Sequence, residues 1–200
     1  MDRRQFLQAA SATLAAATIV STSSLETAEA AEEKKSPSTP KKDKAMNIVV
    51  AADPFALDLR DSIVKHLTEA GHKVTDVGAT KENGLAYYDG APAACKLIQA
   101  GKADRGILIC GTGMGMSIVA NKFKGITASC VESVYAAKMA RSINDSNVLT
   151  MGAMFIAPWK GNAMVDAWMN TKHTEGLEGF ADFLKAALKK VDAIDKANCK

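Results

Sequence analysis

The chain has 200 residues, a formal net charge of +3 and 48% hydrophobic residues. A length like this suits one domain built on one core, and the small charge, with no basic stripe interleaved with aromatics, excludes nucleic acid as an expected partner. Four cysteines (Cys95, Cys110, Cys130 and Cys199) without CxxC spacing, and only three histidines, give no zinc framework, so neither a metal nor an organic cofactor is expected.

The first residues read as an address. Asp2-Arg3-Arg4-Gln5-Phe6-Leu7-Gln8 is similar to a twin-arginine export motif, an Ala-rich apolar stretch runs to about Val20, and Ala28-Glu29-Ala30 offers small residues for a signal peptidase. The stretch is too short and too rich in Ala, Ser and Thr for a membrane span, and it lacks the polar face of an amphipathic helix. The expected organisation is a signal peptide over 1–30, a disordered tether over 31–45 and one α/β domain over 46–200. The mature protein is expected to be exported, periplasmic or extracytoplasmic, with no membrane attachment. Export would permit disulfides, but twin-arginine substrates fold before export, so the cysteine count decides little.

From Asn47 the chain alternates. Residues 47–52 read as a buried strand and 57–70 as a helix, with Ile63, Val64 and Leu67 inward and Gly71 as its stop. A strand at 74–77 and a polar loop at 78–88 follow, then a helix at 91–100 closed by Gly101. Residues 107–110 form the third strand, and a glycine turn leads into a helix to about Lys122. Strands at 126–131 and 148–151 flank a helix at 135–142, and helices at 158–169 and 177–197 finish the chain. This order predicts a doubly wound, Rossmann-like, parallel five-stranded sheet with helices on both faces. Ligands of such sheets sit beyond the carboxyl ends of the strands, where Asp53, Cys110 and the segment after Val131 are expected.

The sequence Gly106-Ile-Leu-Ile-Cys110-Gly111-Thr112-Gly113-Met114-Gly115-Met116-Ser117 carries the strongest signal. An apolar strand runs into a cysteine and then into a turn whose glycines can bring several N–H groups to one point. Such a nest at a helix start binds an anion or oxyanion, and its field favours a thiolate at Cys110. A base beside an oxyanion cradle is the outline of an active site. Taken alone, the same residues also fit an ordinary glycine turn with a small core cysteine.

Several separate stretches add weight: Ala51-Ala52-Asp53, Tyr87-Tyr88-Asp89-Gly90-Ala91, the glycine turn through Asn121-Lys122, Asn144-Asp145-Ser146-Asn147-Val148-Leu149, and Val165-Asp166-Ala167-Trp168. Together they resemble the family of type B ribose-5-phosphate isomerases and galactose-6-phosphate isomerase subunits. The resemblance implies an aldose–ketose isomerase that works through a cis-enediolate on a sugar substrate. Cys110 would be the base. Thr112 with the N–H groups of Gly111, Gly113 and Gly115 would cradle the enediolate oxygen, and Asp53, Tyr87, Asn121 and Asn144 would contact the sugar. It also implies a homodimer with sites built across the interface, a tetramer being the alternative. Asp53 has a second reading as a helix cap, and Asn121 as a structural hydrogen-bonder.

The chain departs from the family where the family holds phosphate and opens the sugar ring. Pro54 stands for a histidine, Ile143 for the ring-opening histidine, Met154 for an arginine, and Glu178 and Asp182 lie where two arginines are expected. These losses are expected to coincide in one site, and isoleucine cannot carry a proton. Of the histidines, His66, His72 and His173 read as surface residues, with only His173 near the site. The expected substrate is therefore an unphosphorylated sugar or related hydroxycarbonyl compound. A non-catalytic exported sugar-binding protein and an orthodox ribose 5-phosphate isomerase are the alternatives.

Overall fold

The computed structural model describes residues 45–198; the signal and nearly all of the tether expected from the sequence lie outside them. Five strands, β1 (Asn47–Ala52), β2 (Lys73–Asp76), β3 (Arg105–Cys110), β4 (Ala128–Cys130) and β5 (Val148–Gly152), form one sheet in the order β2-β1-β3-β5-β4. Every neighbouring pair is parallel. The connecting helices are α1 (Leu57–Glu69), α2 (Tyr87–Gln99), α3 (Met114–Ala120) and α4 (Val134–Ser142); α5 (Pro158–Met169) and α6 (Ala181–Asn198) follow β5.

Side chains alternate across each strand, so one sheet feeds two cores. Ile48, Val50, Ala52, Ile107, Ile109, Leu149 and Met151 meet Leu59, Ile63 and Leu67 of α1, Ala137 and Ala140 of α4, and Met164, Val165 and Trp168 of α5. Val49, Ala51, Leu108, Cys110 and Val148 meet Ala91, Ala94 and Cys95 of α2, and Met116 and Ala120 of α3. This is the predicted doubly wound α/β fold. The chain leaves β1 toward β2 and leaves β3 toward β4 on the other side, so the crevice between the ends of β1 and β3 is a topological switch point, the place such sheets bind ligands.

Several details differ from the sequence reading. α2 starts at Tyr87, four positions earlier than expected, and continues through Pro92. Gly90 lies against β1, where a Cβ would sit 3.6 Å from the Ala51 Cβ; this close packing outweighs the poor helix propensity of Gly90 and Pro92. The loop before α2 contains a closed turn, in which the Thr80 N–H donates to Asn83 Oδ1 at 2.7 Å. After α5, a short 3₁₀ turn (Glu178–Phe180) precedes α6 where one continuous helix was expected.

Candidate functional site

Cys110 ends β3 on the α2–α3 face and is 4% exposed. Past it the chain rises over the end of β5. The Ala153 N–H donates to the Cys110 carbonyl at 2.9 Å and the Met154 N–H to the Gly111 carbonyl at 3.0 Å, so the glycine turn is tied to the β5–α5 segment. Gly113 has φ 77°, and its N–H donates to the Cys110 Sγ at 3.0 Å. Cys95 is also buried, and burial pushes its thiol up to about 11.

The loop after β1 brings Asp53 to the same edge. Asp53 is buried, its Oδ1 accepts from the Phe55 N–H at 3.0 Å, and the Gly111 N–H is a second backbone donor toward it. Burial raises its carboxyl above the ordinary range, and the two N–H groups partly offset that. The cap reading of Asp53 therefore holds in geometry, and the carboxylate occupies one N–H of the predicted cradle. Thr112 and Gly115 remain beside Cys110. Tyr87 closes this side: a Cβ at Gly115 would lie 2.9 Å from its ring.

The structure thus gathers Cys110, Gly111, Thr112, Gly113, Gly115, Asp53 and Tyr87. Two predicted site residues lie elsewhere in the chain. Asn121 sits at the far end of α3, where its amide nitrogen donates to the Ala128 carbonyl at 2.9 Å and its oxygen accepts from the Ala128 N–H at 2.8 Å, so it clamps α3 to the start of β4. Asn144 follows α4 and precedes β5, which places it at the amino edge of the sheet; it is exposed. Helix α4 carries the chain back across the sheet, so residues at its two ends are separated by the length of β5.

The positions that depart from the family divide in the same way. Pro54 and Met154 stand at the carboxyl edge with Cys110. Ile143, Glu178 and Asp182 stand at the amino edge, where the Thr174 N–H donates to the Ser142 carbonyl at 2.8 Å. Within a single chain they stand at opposite edges of the sheet, so the one site expected for them requires the expected dimer interface. Glu178 there is exposed and held below the usual carboxylate range by its own N–H and that of Gly176, with Lys138 on α4 adding to the effect. Arg141 is buried, bonded to the Ser146 carbonyl at 2.6 Å and paired with Asp145 at 2.7 Å, and so fixes the turn into β5. His66 pairs with Asp166 at 2.6 Å and ties α1 to α5. His173, expected near the site, follows α5 at the amino edge.

A depression of about 590 Å³ opens between the β1 and β5 loops; Cys110 is not among the residues that line it. Pro54, Phe55, Leu57, Asp58, Ala153, Met154, Phe155 and Ile156 line it, together with Leu59, Ala157 and Pro158. Phe55 is 74% exposed and Met154 64%. No basic side chain lines this space. Among the described residues no three His, Cys, Asp or Glu side chains are grouped to hold a metal ion, and no helix is long and apolar enough to cross a membrane.

Two residues at this edge were not singled out from the sequence. A Cβ at Gly152 would sit 2.6 Å from the Thr112 carbonyl carbon, so only glycine lets the turn lie against β5. The signal was a glycine closing a fully buried strand. Cys130, at the end of β4, has its Sγ 3.9 Å from the Thr112 carbonyl oxygen.

The sequence profile of the Ribose/Galactose Isomerase family matches residues 48–179. The chain is 43% identical over 154 residues to a 4-deoxy-4-sulfo-D-erythrose isomerase of Clostridium sp. (strain MSTE9), covering 76% of this chain and 97% of that protein. It is 39% identical to a D-erythrulose-4-phosphate isomerase of Pectobacterium atrosepticum, covering 66% of this chain and 87% of the relative. Among solved structures, ribose-5-phosphate isomerase B of Clostridium thermocellum superposes with a TM-score of 0.69 at 31% identity, over 76% of this chain and 99% of that one. With its sheet order, its cysteine and its glycine turn in the places described, the chain belongs to the Ribose/Galactose Isomerase family and is an aldose–ketose isomerase of the ribose-5-phosphate isomerase B-like type.

Proposed function

We propose that Cys110 is the base of this isomerase and that its substrate is a short, open-chain, unphosphorylated hydroxyaldehyde. The Cys110 thiolate takes the proton from C2 of the aldose and returns it to C1, while the O2 hydroxyl proton passes to O1, giving the ketose. Between the two transfers the oxygens carry an enediolate charge, which the Thr112 hydroxyl and the Gly115 N–H are placed to meet. Asp53 holds the Gly111 end of the turn in place. Asn144 reaches a Cys110 site only from a second copy, so the reading includes a homodimer whose sites each combine the carboxyl edge of one protomer with the amino edge of its partner.

The observation that carries the substrate reading is the carboxyl edge near Cys110: Pro54 and Met154 stand there in place of the basic side chains the family resemblance implies, and no basic side chain lines the depression between the β1 and β5 loops. A phosphate dianion there would lose its hydration without a partner, a cost of several kcal/mol, whereas a singly charged, more weakly hydrated sulfonate or a neutral end loses less. A second observation agrees. An aldose closes a five-membered ring through its C4 hydroxyl, and 4-deoxy-4-sulfo-D-erythrose, the substrate in one relative's name, has none. A substrate of this kind has no ring to open, and position 143 holds isoleucine, which cannot carry a proton.

The test is deuterium uptake from heavy water during turnover. 4-Deoxy-4-sulfo-D-erythrose should exchange with a kcat/KM at least ~100-fold above that of D-ribose 5-phosphate, the usual worth of a missing general acid. Comparable turnover of ribose 5-phosphate would restore the orthodox isomerase. Binding of the tetrose without exchange would favour the sugar-binding alternative.

We further propose that the protein is exported through its twin-arginine-like leader and cut near Ala30, which rests on Arg3-Arg4 and the apolar stretch behind them. Replacing both arginines with lysine should leave full-length precursor in the cytoplasm. Unchanged processing of that variant would refute the leader reading.

A further inference from the structure

The structure gives Cys130 a place that the reaction as described does not use. Its Sγ lies 3.9 Å from the carbonyl oxygen of Thr112. The same peptide group ends in the N–H of Gly113, which donates to the Cys110 Sγ at 3.0 Å. A trans peptide points its C=O and N–H in opposite directions, so two thiols stand at the two ends of one peptide. Gly113 and Gly152 show how tightly that peptide is seated: a Cβ on Gly113 would lie 2.6 Å from the Met151 carbonyl carbon, and one on Gly152 would lie 2.7 Å from the Thr112 oxygen. The peptide therefore has little freedom to turn, and its orientation is fixed from both sides.

We propose that Cys130 is a positioning residue that donates its S–H to the Thr112 carbonyl and, through the Thr112–Gly113 peptide, strengthens the N–H that holds the Cys110 thiolate. A carbonyl that accepts a hydrogen bond makes its own N–H a better donor, because hydrogen bonds in a chain polarise one another. The role requires Cys130 to stay protonated. Cys130 is exposed, but its partial burial raises its thiol above the ordinary value; a hydrogen bond with Thr150 offsets part of this, and the neighbouring Cys110 and Glu132 add to the rise. The titratable groups around the turn are Asp53 on the β1 loop, Tyr87 on α2, and Cys130 with Glu132 on the β4–α4 segment; the β5–α5 segment faces it with Met154. Oxidation of the two thiols to each other is not part of this role. Cys130 is level with Thr150 on β5 and Cys110 with Gly152, with β5 between them. Two strand spacings and a two-residue offset put their Cα atoms about 11 Å apart, beyond the reach of a disulfide.

This inference rests on the reading of Cys110 as the base, and the experiment separates the two. Cys130→Ala and Cys130→Ser are purified and titrated by the ultraviolet absorbance of the thiolate, with Cys110→Ala in each background subtracted to isolate Cys110. Kinetics with 4-deoxy-4-sulfo-D-erythrose are followed over the same pH range. In the alanine variant the Cys110 thiolate should appear at higher pH, its fraction on the rising limb should fall about two- to fivefold, and kcat should fall with it at unchanged KM, the scale of one weak hydrogen bond. Serine, which keeps a donor, should restore most of both. An unmoved Cys110 transition in Cys130→Ala overturns the positioning role whatever the activity does. A moved transition with unchanged kcat supports the coupling between the thiols and instead removes Cys110 as the base.

Discussion

Cys110→Ala is expected to lower turnover by about 10²–10⁴-fold, the usual worth of a general base, while thermal unfolding stays near that of the parent. Cys110 contributes little volume to the α2–α3 core, and alanine keeps the strand intact. Cys110→Ser should be almost as poor, because a hydroxyl is far less acidic than a thiol and the Gly113 N–H at 3.0 Å cannot make up the difference. Deuterium uptake from heavy water should vanish together with turnover, and substrate affinity measured by calorimetry should stay near that of the parent, which separates loss of proton transfer from loss of binding. The same variant tests the shared site. Mixed by unfolding and refolding with Asn144→Ala, it should recover about a quarter of parental activity. Half of the dimers then pair unlike protomers, and one of their two sites combines an intact Cys110 with an intact Asn144. Near-parental exchange in Cys110→Ala would remove the cysteine from the chemistry. Absence of any recovery on mixing would confine the site to one chain.

Residues that follow strands are easier to place from the sequence than residues that follow helices. Cys110, Gly111, Thr112, Gly113, Gly115 and Asp53 all follow strands at their carboxyl ends, and strand ends can be read locally from an apolar run and a glycine. Asn121 and Asn144 also belong to the motif-bearing stretches, but their positions depend on where a helix delivers them. α3 and α4 both run back across the sheet, so residues at their far ends arrive at the amino edge. The same rule moves Ile143, Glu178 and Asp182 away from Pro54 and Met154, and it turns a set of losses that read as one site into two groups that only a second protomer can unite. α2 was shortened for a different reason. Gly90 and Pro92 signal a loop by local propensity, whereas the helix there sets Gly90 against Ala51 of β1. Gly152 gave the weakest local signal of all, because its need for a missing side chain comes from Thr112, a residue of another strand's turn.

Gly152→Ala is therefore the substitution in which a residue with no part in proton transfer should be most damaging. Gly152 does not use the left-handed region, so alanine suits its own backbone. The difficulty is the space its Cβ would enter, 2.6 Å from the Thr112 carbonyl carbon and 2.8 Å from the Thr112 Cα. These are backbone atoms, which cannot swing aside as a side chain can. The turn would have to lift from β5, and the Gly113 N–H would leave the Cys110 Sγ as the cradle opened. Loss of donors aimed at a developing oxyanion typically costs about 10²–10³ in kcat, whereas overpacking of this kind lowers stability by about 1–3 kcal/mol. Gly90→Ala supplies the control. Its Cβ would meet Ala51 at an ordinary 3.6 Å, and alanine in a helix is favoured over glycine by about 0.5–1 kcal/mol. That variant should keep its activity and melt no lower than the parent. Assays of both variants, with thermal melts alongside, distinguish a displaced catalytic turn from a general loss of packing. If Gly152→Ala isomerises within a few-fold of the parent, the seat of the turn on β5 is not what positions Cys110.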